Sequence, residues 1–121
     1  MRPRRPTRER GADAEALARR HLERQGLRFR AANVHCRGGE LDLVMDDNGT
    51  LTFVEVRQRS RNDFGTAAES ITAGKRRRLV TAARYYLHSN GADDAPCRFD
   101  AVTVDGDGRI EWLRDAFRAD E

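Results

Sequence analysis

The run Gly39-Glu40-Leu41-Asp42-Leu43-Val44, followed after Asp47-Asn48-Gly49-Thr50 by Phe53-Val54-Glu55-Val56-Arg57, limits the fold more than any other stretch of the chain. Both arms are rich in aliphatic and β-branched residues. The Asn-Gly between them is the strongest short hairpin signal, because a type I′ turn needs positive φ at both central positions. With Asn48 and Gly49 there, the register is fixed: Asp47 faces Thr50, Asp42 faces Glu55, and Glu40 faces Arg57. Strand side chains alternate between faces. The four charged residues Glu40, Asp42, Glu55 and Arg57 are therefore predicted on one face with Val44 and Phe53, and Leu41, Leu43, Val54 and Val56 on the other.

Two carboxylates directly across an antiparallel pair repel each other. Either this face is solvated, with Glu40–Arg57 as a surface ion pair, or a divalent cation turns the repulsion into coordination, since hard cations take carboxylate oxygens. The second reading explains why two acids sit beside Val44 and Phe53, which favour burial. The turn fixes the register and the flanking positions also carry charge, which favours this second reading.

A chain of 121 residues supports one domain with one modest core. Residues 1–9, rich in Arg and Pro with little to bury, read as a flexible basic tail, and residues 10–118 as the single domain. Gly11 to Gln25 has helical periodicity. Ala14, Leu17, Ala18, His21 and Leu22 form its apolar arc, and Glu15 lies at the edge of that arc, facing either water or a site. Leu27 to Val34 is predicted as a strand turning at Arg37-Gly38-Gly39, and the hairpin follows. Gln58 to Asp63 reads as a surface loop. Asp63-Phe64-Gly65 matches a kinase metal-binding tripeptide in letters only, since the other kinase motifs are missing. Thr66 to Asn90 is predicted helical with a break near Thr72-Ala73-Gly74. Thr72 is the expected N-cap of the second piece, Gly91 its stop, and Leu79, Ala82, Ala83, Tyr86 and Leu87 its buried stripe. Arg98 to Val104 and Arg109 to Leu113 read as strands around the turn Asp105-Gly106-Asp107-Gly108.

Lys75-Arg76-Arg77-Arg78 crowds positive charge into a helix start, where the helix dipole disfavours cations. Such a run is either a solvated face or a surface for a polyanion. Lys+Arg 23 against Asp+Glu 20 leaves a net charge of only +3, so clustering matters more than the total. No apolar run approaches the ~20 residues of a membrane span, and Met1 to Pro6 lacks the apolar core of a signal peptide. Cys36 and Cys97 have no CxxC spacing and read as free thiols of a cytoplasmic protein. His21, His35 and His88 show no metal-ligand spacing.

The order helix, three strands, helix, one or two strands, with an Asp on the second strand and Glu-x-basic on the third, resembles the restriction-endonuclease-like nuclease superfamily. Its signature is an Asp followed further along by (Asp/Glu)-x-Lys. More closely, the chain resembles the YraN family of bacterial proteins, whose nearest described relatives are archaeal Holliday-junction resolvases. The likeness covers about residues 10–118 and rests on Gly39-Glu40-Leu41-Asp42-Leu43, Phe53-Val54-Glu55-Val56-Arg57, Phe64-Gly65, Lys75 and Arg98-Phe99-Asp100.

The resemblance implies an α/β fold with a restriction-endonuclease-like core in αβββαβ order, a central mixed sheet flanked by helices. It implies that Asp42 and Glu55 bind Mg²⁺ or Mn²⁺ with help from the Val56 carbonyl, and that Glu15 matches a first-helix acid completing the coordination. Arg57 stands where the superfamily has Lys. Arginine stays protonated and cannot act as a general base, but it can hold a phosphate oxygen. Arg57, Lys75, Arg76 and Arg77 are the expected nucleic-acid contacts, while Arg98 and Asp100 read as structural. The expected function is metal-dependent hydrolysis of branched or structured DNA by a homodimer. The alternatives are a nucleic-acid-binding protein that keeps the fold without cleaving, and a partner-binding domain with no nucleic-acid role.

Overall fold

The computed structural model describes residues 7–59 and 69–119, with residues 7–10 described in backbone only. The elements run α1 (Thr7–Arg24), β1 (Arg28–Cys36), β2 (Gly39–Asp47), β3 (Thr50–Arg59), α2 (Ala73–Ser89), β4 (Cys97–Asp105) and β5 (Ile110–Phe117). Five strands form one sheet in the order β1-β2-β3-β4-β5. The first three form an antiparallel meander, β4 lies parallel to β3, and β5 is antiparallel to β4. A parallel neighbour requires a crossover, and α2 supplies it. This is the expected mixed α/β architecture, consistent with a restriction-endonuclease-like core, with two strands after α2.

Local chemistry sets most boundaries. α1 begins at Thr7, ahead of the predicted start at Gly11, and gives way to a turn at Gly26, where φ is 97°. Residues 1–6 of the predicted tail lie outside the described residues. So do Ser60 to Asp63 of the predicted loop, Asp63-Phe64-Gly65, and residues 66–68 of the predicted first helical piece; its described remainder, Glu69 to Thr72, forms a turn and bend and not helix, and Gln58 and Arg59 of the predicted loop extend β3. The second helical piece appears as read: the Lys75 N–H donates to the Thr72 hydroxyl at 3.2 Å, capping α2. At the other end Gly91 takes φ 64°. The hairpin turn has φ 50° at Asn48 and 96° at Gly49. The pairs from Asp47–Thr50 to Leu43–Val54 follow the predicted register.

Each sheet face carries a helix over a core. Ala14, Ala18 and Leu22 of α1 pack on Leu43, Met45, Val54 and Val102. Leu79, Ala82, Ala83, Tyr86 and Leu87 of α2, the predicted stripe, pack on Val44, Phe53 and Phe99. Burying each large aliphatic side chain stabilises the fold by about 1.5–3 kcal/mol.

Leu41 departs from the expectation. It belongs to the α2 cluster, whereas Leu43 belongs to the α1 cluster. The reason lies in β1. Ala32 pairs with Leu43 and Val34 with Leu41, but the register omits Asn33 opposite Asp42. Asn33 has φ 52°, a left-handed conformation that Asn tolerates better than most residues. The side-chain alternation of β2 therefore breaks at Asp42.

Two further features fix the frame. A Cβ at Gly39 would collide with the Arg78 carbonyl oxygen and lie 2.9 Å from the Ala82 nitrogen, so only glycine lets β2 start against the α2 backbone. Asp100, fully buried, accepts from Arg98 Nε at 3.0 Å, Trp112 Nε1 at 2.9 Å and the Asp115 N–H at 2.9 Å. Arg98 also reaches Asp47 Oδ2 at 2.8 Å. Arg98 and Asp100 thus tie the hairpin end to β4 and β5, the structural role read from the sequence. Cys36 and Cys97 are free thiols.

Candidate metal centre at the fork of the central strands

The β2–β3 ladder runs from the turn to Leu43–Val54 and stops. Beyond it, Asp42 Oδ2 accepts the Val56 N–H at 2.8 Å. The carboxylate thereby occupies the place that a β2 carbonyl would take in a continued ladder. The break in alternation described above makes this possible, because a regular strand would have sent Asp42 squarely to one face.

Glu55, one residue before Val56, hydrogen-bonds to Asp42. Its side chain is only 16% exposed. Burial, followed by the Asp42 charge, pushes Glu55 up to about 8 from its ordinary 4.5. Burial raises Asp42 as well, and the Val56 N–H and the bond to Glu55 only partly offset that rise. Two carboxyls in hydrogen-bond contact need one proton between them, and the larger desolvation and charge effects on Glu55 favour placing it there. Arg57 Nη1 lies 3.9 Å from Glu55 Oε1 and favours ionisation of both acids.

Glu15 approaches from α1. Burial raises it most, the Asp42 charge next, and a hydrogen bond with the Asn33 side chain opposes the rise. Asn33 thus both breaks β1 and holds Glu15. The sequence reading missed it; its only signal was an Asn inside a strand pattern. Glu15 and Asn33 line a groove of about 480 Å³ with Ala12, Ala16, Phe29 and Leu43. Glu55 lines a different pocket, about 80 Å³, with Glu40, Lys75, Arg78 and Leu79. Among the described residues, no group of three or more His, Cys, Asp or Glu is placed to hold a metal ion. The convergent acids are the two carboxylates, Asp42 and Glu55. That donor set fits Mg²⁺ or Mn²⁺, because Mg²⁺ is commonly held by one or two carboxylates while keeping several waters.

The predicted Glu40–Arg57 facing pair does not form. Glu40 instead lies 3.6 Å from His35 Nδ1 and 3.9 Å from Arg78 Nη2. Pairing with β3 has ended by this point, so the first residues of β2 follow β1 and α2 while Arg57 turns to Glu55. Of the predicted nucleic-acid contacts, Lys75 lines the Glu55 pocket and Arg57 adjoins the acid pair. Arg76 and Arg77 lie apart, lining a separate groove. Arg78, which the sequence reading placed only within a charge run, joins Lys75 at the acids.

A five-stranded mixed sheet with a helix on each face, and a carboxylate pair where its inner strands part, defines an α/β protein consistent with a restriction-endonuclease-like core. The chain belongs to the UPF0102 (YraN) family: the family model described as "Uncharacterised protein family UPF0102" matches residues 14–104. It is 56% identical to a UPF0102 protein of Dechloromonas aromatica (strain RCB) over 115 residues, 95% of this chain and 93% of that one. It is 48% identical to a UPF0102 protein of Nitrosococcus oceani over 117 residues, 93% of this chain and 94% of that one. No helix among the described residues is long and apolar enough to cross a membrane.

Proposed function

We propose that this protein is a metal-dependent nuclease acting on phosphodiesters of branched or structured DNA. The observation that carries the reading is the Asp42–Glu55 pair, two half-buried carboxyls hydrogen-bonded to each other at the end of the central ladder. A purely structural pair there is costly, since one member stays ionised out of water. Asp42 and Glu55 are the residues that would hold Mg²⁺ or Mn²⁺, which would supply activation of a water nucleophile and offset charge on the phosphoryl oxygens. Asp42 is already oriented by the Val56 N–H. Glu55 would hold such a cation as a carboxylate, its proton released to solvent. Arg57 is placed to hold a phosphate oxygen, and Lys75 and Arg78 supply positive charge at the rim for an approaching polyanion.

Arg57 favours a second reading, a nucleic-acid-binding protein without cleavage. It stands in the position of the superfamily's Lys and cannot accept a proton. Calorimetric Mn²⁺ titration of the wild type and Glu55→Gln, paired with cleavage of a four-way junction by the wild type and Asp42→Asn, separates the two readings. The nuclease reading expects metal binding lost in the first variant and cleavage lost in the second. Metal binding without cleavage across a panel of junctions and flaps supports the second reading. A wild type that binds no metal refutes the first.

A further inference from the structure

On the far side of the α2 start from the acids lies a groove of about 310 Å³. Arg76, Arg77, Arg84 and Arg118 line it over Val80 and Thr81. We infer that this groove is a second nucleic-acid contact, gripping a stretch of sugar-phosphate backbone separate from the one at Asp42 and Glu55. The inference rests on the nucleic-acid part of the reading above and is independent of cleavage.

Charge and spacing both point to a polyanion. α2 carries Lys75, Arg76, Arg77, Arg78 and Arg84 and no Asp or Glu. Among the described residues, no carboxylate lines the groove, and Arg77, Arg84 and Arg118 have no acidic partner. Arg76 is held in place: its Nε donates to the Ile71 carbonyl at 3.2 Å and its guanidinium lies 5.5 Å from the Phe117 ring centre. Cations at a helix start cost about 0.3–1 kcal/mol each through the helix dipole. Clustered like charges add to that cost, so helix stability does not explain the arrangement.

Arg77 and Arg84 are two turns apart, about 10.5 Å along the axis. The groove is therefore elongated along the helix, as a run of successive phosphates is. Arg76 and Arg118 add two further cations to the same groove, more positive charge than a single phosphate neutralises and the kind of track a backbone fills. Tyr85, which follows Arg84, is 49% exposed and is the large apolar side chain left in solvent among the described residues. Tyr85 does not line the groove itself but lies one turn beyond Thr81 at its edge, where an exposed ring can stack on an unpaired base. A lipid surface fits less well. Membrane-binding helices bury an apolar face in the bilayer, and the apolar face of α2 is already spent on Val44, Phe53 and Phe99.

The test is fluorescence anisotropy with a labelled oligothymidine in EDTA across a salt series, using the full chain. The triple variant Arg77→Ala/Arg84→Ala/Arg118→Ala is expected to bind at least 10-fold more weakly. Its slope of log affinity against log salt should be shallower by about 2, at ~0.7 per lost contact. The matching triple Lys variant should restore both. Tyr85→Ala should weaken binding with the slope unchanged. All four positions are exposed, and unchanged thermal melts confirm folding. A triple Ala variant with the wild-type slope overturns the inference, as does wild-type binding to phosphatidylserine vesicles with none to the oligonucleotide. A shallower slope in the triple variant, in a protein that binds no metal, sustains the groove and refutes the nuclease reading alone. No oligonucleotide binding by the wild type overturns the inference, while cleavage of a four-way junction in Mn²⁺ by the same protein would leave the nuclease reading standing.

Discussion

Glu55→Gln should make this protein more stable at alkaline pH and leave it nearly unchanged at acid pH. Folding raises Glu55 from 4.5 to about 8, through burial first and the Asp42 charge second. Between those values the folded chain binds more protons than the unfolded one, so stability falls as pH rises. The favourable contribution is complete below 4.5 and is lost as pH climbs through 8. At 1.36 kcal/mol per unit, the whole span amounts to about 5 kcal/mol. Asp42 shares the proton and Arg57 steadies the ionised form, so about half of this, roughly 2–3 kcal/mol, is assigned to Glu55 itself. A Gln keeps the shape and donates to Asp42 without titrating. Urea unfolding followed by circular dichroism in EDTA at pH 5, 7 and 9 reads the effect. The advantage of the variant should grow across the series to about 2–3 kcal/mol, which corresponds to roughly 10 °C in Tm for a domain of this size. Parallel stability curves for the two proteins would refute the shared-proton account, and with it the electrostatic reason for placing a cation at the fork.

Two further outcomes follow from the same frame. Asp100→Ala removes the acceptor for Arg98, Trp112 and the Asp115 N–H from a fully buried position; a loss of about 3–5 kcal/mol in urea unfolding is expected, and a loss below 1 kcal/mol would show that Asp47 alone suffices for Arg98. Arg57→Lys should raise junction cleavage in Mn²⁺ if the superfamily's Lys moves a proton, and leave the rate within about threefold if its role is electrostatic; single-turnover rates at several pH values distinguish the two.

The hairpin was legible because its information is local. Asn48 and Gly49 accept the φ values that set the register, and five pairs follow from them. The buried stripe of α2 was legible because helical periodicity is also local. The break at Asp42 was not, because its cause lies on another strand, at Asn33. The same residue hydrogen-bonds Glu15, and a helical wheel drawn on α1 alone contains nothing of it. Glu40 and Arg57 parted for a related reason: the register was right, but the ladder ended before reaching them. Asp100 makes sense only with Trp112 and with Asp115, which sits at φ 52°. These come from a strand that the sequence reading ended at Leu113 and that runs to Phe117.

Gly39 gives the fold a hard stop. Where strand and helix touch backbone to backbone, the gap between them is set by covalent geometry and does not vary with the length or rotamer of any side chain. The platform bearing Lys75 and Arg78 is thus docked at a fixed height over the acids, while its outward-facing positions can be exchanged without disturbing the dock. Relatives or engineered versions could re-letter the outer surface of α2 to suit different partners and still deliver the inner residues to the same place.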